Sequence, residues 1–343
     1  MNKRKIISIL LALIVLLCMF FATACGGAES TGGEGEGKDW PASVTLIAGP
    51  VGGPWYPVMV TFAEYLTEEI PEVTWTVIDG GSLGNIRVVN EGVDAQIGLT
   101  HLNMLEKALE GTLSATEGET FDNVAIGNAV TLSYIQFVTP VKNEHINDFK
   151  DIFDKRFAPG QLTSAQTYVI EDLLAYYGES FDSIKENGGS VEHINFSEMA
   201  TLLKDGHLDV ACFTGDLPHA SGMEVDLTSP LKLLTIEEEA IKAIKEKYPS
   251  LAIEVGEPGC YSGVTEPVTM LGAVGTLIFN KSLPDDLVYE FTRVIMNNSE
   301  KIVNQYTSKT YSCYLNWEDT LQFSSEEDVH PMVWKAVKEG PSN

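Results

Sequence analysis

Hydrophobic and polar positions fall into two alternating patterns along the chain. Val44 to Ala48 is a continuous apolar run, the pattern of a strand buried on both faces of a parallel sheet. It ends in a loop rich in glycine and proline: Gly49, Pro50, Gly52, Gly53 and Pro54. From Val58 to Leu66 the spacing becomes helical, with Val58, Met59, Phe62, Ala63 and Leu66 on one face and Glu64, Thr67 and Glu68 on the other. The pair then repeats. Thr74 to Ile78 reads as a strand, Gly80-Gly81-Ser82 as a loop, Leu83 to Glu91 as a helix stopped by Gly92, and Asp94 to Leu99 as a third strand. The order β-α-β-α-β predicts a parallel sheet with right-handed crossovers.

The same alternation continues downstream. A helix with Leu102, Leu105 and Leu109 on one face is followed by a long β-rich run from Val124 to Val138, interrupted by Tyr134 and Gln136. Ile146 to Ile152 predicts a short helix, Arg156 to Ala158 a strand and Ala165 to Tyr177 a helix. Val191 to Phe196 predicts a strand, and Ser197 opens a helix with a capping-box-like start that ends at Gly206. Strands over Asp209–Phe213, Leu231–Leu234 and Met270–Phe279 follow, with helices over Glu237–Tyr248 and Pro284–Met296 and a polar excursion from Gly256 to Thr265. The helix, Gly, x, x, Asp, strand sequence at Gly92–Asp94 recurs at Gly206–Asp209, which points to two similar lobes.

In such sheets ligands sit outside the carboxyl ends of the strands, where loops meet helix N-termini. A glycine there lets a ligand approach backbone N–H groups at the positive end of a helix, which suits a carboxylate or phosphate. Gly53 and Ser82 mark the first two loops; tight turns explain the glycines equally. Trp55 and Tyr56 offer flat apolar faces and a phenolic hydroxyl, Tyr56 being the stronger candidate, with interlobe packing as the alternative. Asn85 supplies a further side-chain contact. The third loop, Pro159 to Thr167, contributes Thr163, Ser164, Gln166 and Thr167; its hydroxyls serve equally well as helix caps. Arg87 is spaced to pair with Glu91 at i,i+4 rather than to clamp a ligand. Gly127, Asn128 and Thr131 are candidate hinge residues.

The segments GPVGGPWYP, GGSLGNIRVVNEGVDAQIGLTH and HPMVWKAVKEG resemble the solute receptors of TRAP-type transporters in the TAXI subfamily, and the resemblance extends over roughly residues 43–340. It implies an α/β, two-lobed type II periplasmic-binding-protein fold, each lobe a mainly parallel sheet flanked by helices, with the ligand cleft between the lobes. Lobe 1 is expected at 40–132, lobe 2 at 133–270, and the return to lobe 1 with C-terminal helices at 271–343. It further implies capture of a small organic acid or amino acid, such as glutamate, 2-oxoglutarate or a related diacid, and delivery to TRAP-type permease subunits. By the same resemblance Thr100 and His101 follow the third strand at the cleft edge, and Thr214 and Gly215 belong to a fourth cleft loop. Leu162-Thr163-Ser164 departs from the Gly-Ser-Gly-like run usual there.

Met1 to Ala24 has a basic start, Lys3, Arg4 and Lys5, an apolar stretch from Ile6 to Phe21 and small residues before Cys25: a lipoprotein-type signal peptide, with Ala22 where leucine is usual. The alternative is an uncleaved anchor; either way the protein is expected outside the cytoplasm and tethered to the membrane, through the lipid on Cys25 in the lipoprotein reading. Residues 25–39 lack apolar positions and predict a flexible tether. Removing the signal takes away three positive and no negative charges, so a net charge of −27 becomes −30. Such a surface excludes a nucleic-acid role. Cys212, Cys260 and Cys313 remain, buried thiols or one disulfide, without metal-ligand spacing, and no cofactor or catalytic residue is expected: HExxH, GxSxG, CxxC and the Walker lysine are all missing. The rival readings are a sensory ligand-binding module for a membrane kinase and an exported hydrolase or transferase.

Overall fold

The computed structural model describes residues 38–49, 54–162, 164–306 and 321–341. The expected signal peptide, Cys25, Gly53, Thr163 and Cys313 lie outside the described residues. Trp40–Asn343 forms one compact unit. In chain order it contains β1 (Ser43–Ile47), α1 (Trp55–Glu69), β2 (Thr74–Ile78), α2 (Ser82–Glu91), β3 (Ile97–His101), α3 (Leu102–Leu109) and the long β4 (Val124–Pro140). There follow β5 (Arg156–Ala158), α4 (Ala165–Tyr176), α5 (Phe181–Glu186), β6 (Ser190–Val191), α6 (Phe196–Lys204), β7 (Val210–Gly215) and α7 (Ala220–Asp226). The last elements are β8 (Leu231–Leu233), α8 (Glu238–Lys247), β9 (Ala252–Gly256), β10 (Val268–Asn280), α9 (Asp285–Asn304) and α10 (Pro331–Glu339).

The strands join in the order β2-β1-β3-β10-β4-β7-β5-β6, with β8 added to β4 and β9 to β10. β1 runs parallel to β2 and β3, and β5 parallel to β6 and β7. Two long antiparallel strands tie these parallel groups together. β4 pairs with β10 from Val124 to Tyr134 and with β7 from Tyr134 to Val138; β10 pairs with β9 through Gly272 and with β3 from Gly275 onward. The architecture is therefore the α/β, two-lobed periplasmic-binding-protein fold, each lobe a mainly parallel sheet flanked by helices, with β4 and β10 running through both. The pairing of β4 with β10 shifts register around Thr276, whose Oγ1 lies within hydrogen-bond distance of the carbonyls of Gly127 and Asn128. A bulge there bends the strand and raises its twist.

Burial explains the apolar runs. All seventeen positions of β4 are buried, because helices or loops cover both faces. In β7, Val210 and Cys212 face one cluster with Phe137, Phe157, Val169 and Ile241, while Ala211 and Phe213 face another with Met199, Leu203 and Val225.

Several local expectations change. The strand expected over Val191–Phe196 shrinks to Ser190–Val191, and α6 starts at Phe196 rather than Ser197. Asn195 is its cap: Oδ1 accepts from Glu198 N and the Glu198 carboxylate accepts from Asn195 N. The expected short helix is a 3₁₀ turn, Phe149–Ile152, capped by Asp148. α5 and α7 were not foreseen, and β9 occupies the approach to the polar excursion. β9 hides from pattern reading because Ile253 and Val255 point to solvent while Glu254 is half-buried. Leu109 is 45% exposed, off the buried face of Leu102 and Leu105. Cys212 and Cys260 are free thiols.

Candidate functional site

The loops after β1, β2, β3 and β7 and the start of α4 meet at a cleft of about 550 Å³. Of the sequence candidates, Trp55, Ser82, His101, Ser164, Gln166, Thr214 and Gly215 line it. Four others do not. Asn85 is fully buried: its Nδ2 donates to the carbonyls of Ala48 (2.6 Å) and Leu99 (2.5 Å), and Oδ1 accepts from Gly81 N (2.8 Å). It staples the ends of β1 and β3 to the α2 loop, and every polar atom it has is used in doing so. A side chain at Gly80 would collide with Asn85 Oδ1 and Ile47, so this close approach requires glycine. Thr100 is buried and donates to Ser82 O (3.1 Å); Thr167 donates to Gln161 O (2.9 Å). Tyr56 packs on the core instead of the cleft, so Trp55, not Tyr56, presents the aromatic wall.

Sequence reasoning missed Ser133, Gln161, Asn195 and Phe196 as lining residues. Ser133 sits inside a strand and Phe196 inside an expected strand, so neither carried a loop signal. Arg87 also reaches the lining, and its partner differs from the expected Glu91: Nε and Nη2 donate to the two carboxylate oxygens of Glu119 (2.7 and 2.5 Å) and Nη2 to Ala115 O. The side-chain hydrogen bond and charge of Glu119 raise the guanidinium further. This long-range pair is a bidentate fork.

Helix ends set the electrostatics. α1, α2 and α4 all begin at the cleft, at Pro54, Gly81 and Ser164, and none has a side-chain cap or an acid in its first turn. Away from it, α5 carries its own capping box and an acidic first turn, as does the Phe149–Ile152 turn. No described lining residue is Asp or Glu, in a chain of net charge −27. Uncapped helix N-termini carry partial positive charge and free N–H groups, which hold anions.

His101 occupies the floor. Its Nδ1 is 2.8 Å from Ser82 Oγ and its Nε2 3.3 Å from Ser133 Oγ, and its ring lies 4.6 Å from that of Trp55. Trp55 Nε1 in turn donates to Thr131 Oγ1 (3.1 Å), joining α1 to β4. Burial pushes the imidazole pKa down to about 4, so the ring is neutral at physiological pH. Ser82 and His101 superficially resemble a nucleophile and base, but the second ring nitrogen meets a serine instead of an orienting carboxylate, and the base is too weak to hold a proton near pH 7.

The wall that includes Phe196, Thr214 and Gly215 is braced from behind. His219 stacks on Phe213 (5.0 Å, 3°) and meets Phe196 edge-on (4.7 Å). Tyr261 Oη donates to Gln136 Oε1 (2.7 Å) and accepts from His219 N, while Gln136 Nε2 donates to Asp216 O. These bonds fix the Thr214–His219 loop.

Among solved structures, the chain is similar to the periplasmic aliphatic sulphonate binding protein SsuA of Escherichia coli, with 10% identity and a TM-score of 0.49, covering 88% of this chain and 80% of that one. It is also similar to PhnD1 of Prochlorococcus marinus in complex with methylphosphonate, with 13% identity and a TM-score of 0.48, covering 79% and 92%. Comparison with curated proteins finds no match. At the level of family the assignment is direct: the NMT1-like family matches residues 46–340, and the chain belongs to it.

Proposed function

We propose that the protein is an extracytoplasmic solute-binding receptor that captures a small carboxylate by lobe closure and hands it to a membrane permease. The observation that carries this reading is the meeting of three uncapped helix N-termini at a cleft with no described carboxylate in its lining. Ligand oxygens take the free N–H groups around Ser82 and Ser164, Trp55 and Phe196 provide apolar walls, and Arg87 stands at the edge. Lobe 1 is residues 40–132, lobe 2 is 133–270, and 271–343 returns to lobe 1, so closure bends β4 and β10 near the register shift at Thr276. Glutamate, 2-oxoglutarate and related diacids are the candidate ligands, TRAP-type subunits of the TAXI kind the partner, and the lipid on Cys25 the tether.

Melting curves of the purified protein across amino acids, dicarboxylates, keto acids, sugars and phosphates test the reading. A ligand at a hundred times its dissociation constant stabilises the fold by about 2.7 kcal/mol. A shift with one group of carboxylates is expected; shifts with sugars alone would overturn the anion assignment.

A further inference from the structure

The cleft is rich in donors, no described lining residue carries a carboxylate, and many of its backbone acceptors are already engaged. Among the described residues, the first-turn N–H groups of Ser82, Leu83 and Gly84 on α2, and of Ala165 and Gln166 on α4, have no side-chain cap. Gln166 adds a side-chain donor: the residue is 3% exposed, lines the cleft, and its Nε2 is buried without a hydrogen-bond partner. Gly160, at φ +114°, leaves the space that this amide fills. A buried amide donor without a partner costs stability unless a ligand supplies the acceptor.

Many of the carbonyls around the same cleft are already engaged. Gly49 O accepts from Gly80 N and Gly81 O from Asn85 N; Ser82 O accepts from Thr100 Oγ1; Gln161 O accepts from Ser164 N and Thr167 Oγ1. Asn195 Oδ1 is held by Glu198 N. Both ring nitrogens of His101 face serine hydroxyls. Asp79 and Asp216 each sit one residue from a lining glycine, yet neither lines the cleft. An ammonium group enclosed here would lose its water and find no described carboxylate, only neutral acceptors such as the unpartnered Thr214 Oγ1, which do not compensate a buried charge.

Resting on the receptor reading, we propose that this cleft selects acids whose second polar group is an oxygen acceptor (2-oxo, 2-hydroxy or dicarboxylic acids) against the α-amino acid of the same carbon skeleton. Gln166 is the specificity-determining residue: its free Nε2 takes the keto, hydroxyl or carboxylate oxygen that an ammonium cannot replace.

Matched pairs test this directly. The full chain, solubilised in detergent, is titrated calorimetrically at pH 7.5 with 2-oxoglutarate, glutarate and L-glutamate, and with pyruvate and L-alanine. The expected result is at least tenfold tighter binding of the oxo acid or diacid than of its amino-acid counterpart. Gln166→Ala is expected to weaken the oxo acid at least tenfold. Gln166→Glu, which supplies the missing carboxylate, is expected to move the preference at least tenfold toward the amino acid, with melting curves confirming that both variants fold. Equal or tighter binding of the amino acid by the unaltered protein would overturn this selectivity while leaving the receptor reading intact. Binding of none of these acids would overturn the carboxylate reading itself, and the selectivity with it.

Discussion

His101 is a polar residue whose role follows from its enclosure. Its folded pKa of about 4 lies below the unfolded value of 6.5, so stability is fully present above pH 6.5 and is lost as pH falls toward 4, where the unfolded chain takes a proton that the folded ring refuses. His219, pushed down to about 4 by burial against Phe213 and Phe196, adds to the same loss. Because each ring keeps some exposure, the loss is about 2 kcal/mol for each. Melting temperatures measured from pH 7.5 to pH 4.5 should fall less in the double variant His101→Gln, His219→Gln than in the parent; parallel curves would contradict this. A second outcome concerns Trp55, whose Nε1 donates to Thr131 Oγ1. Thr131→Val leaves that buried donor unpaired and is expected to cost about 1–3 kcal/mol by denaturant unfolding. Residue type alone drew attention to Trp55 and His101. It equally drew attention to Tyr56 and Asn85, which the fold uses for packing and for stapling loops, because whether a polar side chain meets a ligand or its own backbone depends on strands distant in sequence.

Among the helices, the uncapped, acid-free starts of α1, α2 and α4 carry the site. α6 also begins at the cleft but is capped by Asn195, and α8 and α9, away from it, lack side-chain caps but carry acids in their first turns. Gly84, in the first turn of α2, has open space where a Cβ would stand. Gly84→Asp relieves a helix glycine worth about 0.5–1 kcal/mol and adds an acid at a helix N-terminus worth about 0.3–1 kcal/mol. The variant is therefore expected to melt higher than the parent while binding anionic ligands at least tenfold more weakly. A variant that binds anions as well as the parent would show that α2 does not face the ligand. Strands and helices with one clear period, such as β2 and α4, were legible almost to the residue. β9 was not, because its apolar side chains face solvent, and α5 was not, since a six-residue helix leaves too little periodicity to read.

At the scale of the whole molecule, a polar cluster joins α3, α4 and the end of α8 away from the cleft. Lys107 on α3 donates to Asp172 on α4 (3.0 Å), each side chain 13% exposed, and Lys247 and Tyr248 complete the cluster at the same carboxylate. Burial alone would raise the Asp172 carboxyl, but the hydrogen bonds from Lys247, Tyr248 and Lys107 outweigh it and hold it low. Beside it a cavity of about 640 Å³ is lined by Glu106, whose carboxyl is pushed up to about 7 by burial, against a hydrogen bond from Ser250 that lowers it. Glu110 and Asp328 raise it further and Lys245 lowers it. The unfolded chain ionises near 4.5 and the folded one near 7, so the penalty grows as pH rises between those values. Glu106→Gln is expected to gain about 1–2 kcal/mol relative to the parent at pH 8 and nothing of that kind at pH 4.5; equal differences at the two pH values would contradict it. The sequence by itself determined the α/β class, the alternation of strand, glycine loop and helix in both lobes, and the loops where helix N-termini would lie, because these follow from periodicity and from the backbone freedom of glycine over a few residues. Only the tertiary structure decided that Arg87 pairs with Glu119, that Ser133 and Phe196 reach the cleft, and that Gln166 points there unpartnered. The lining depends on how parallel strand groups joined through β4 and β10 bring segments over a hundred residues apart together, and Arg87 reaches Glu119 across 32 residues; no local pattern encodes either meeting.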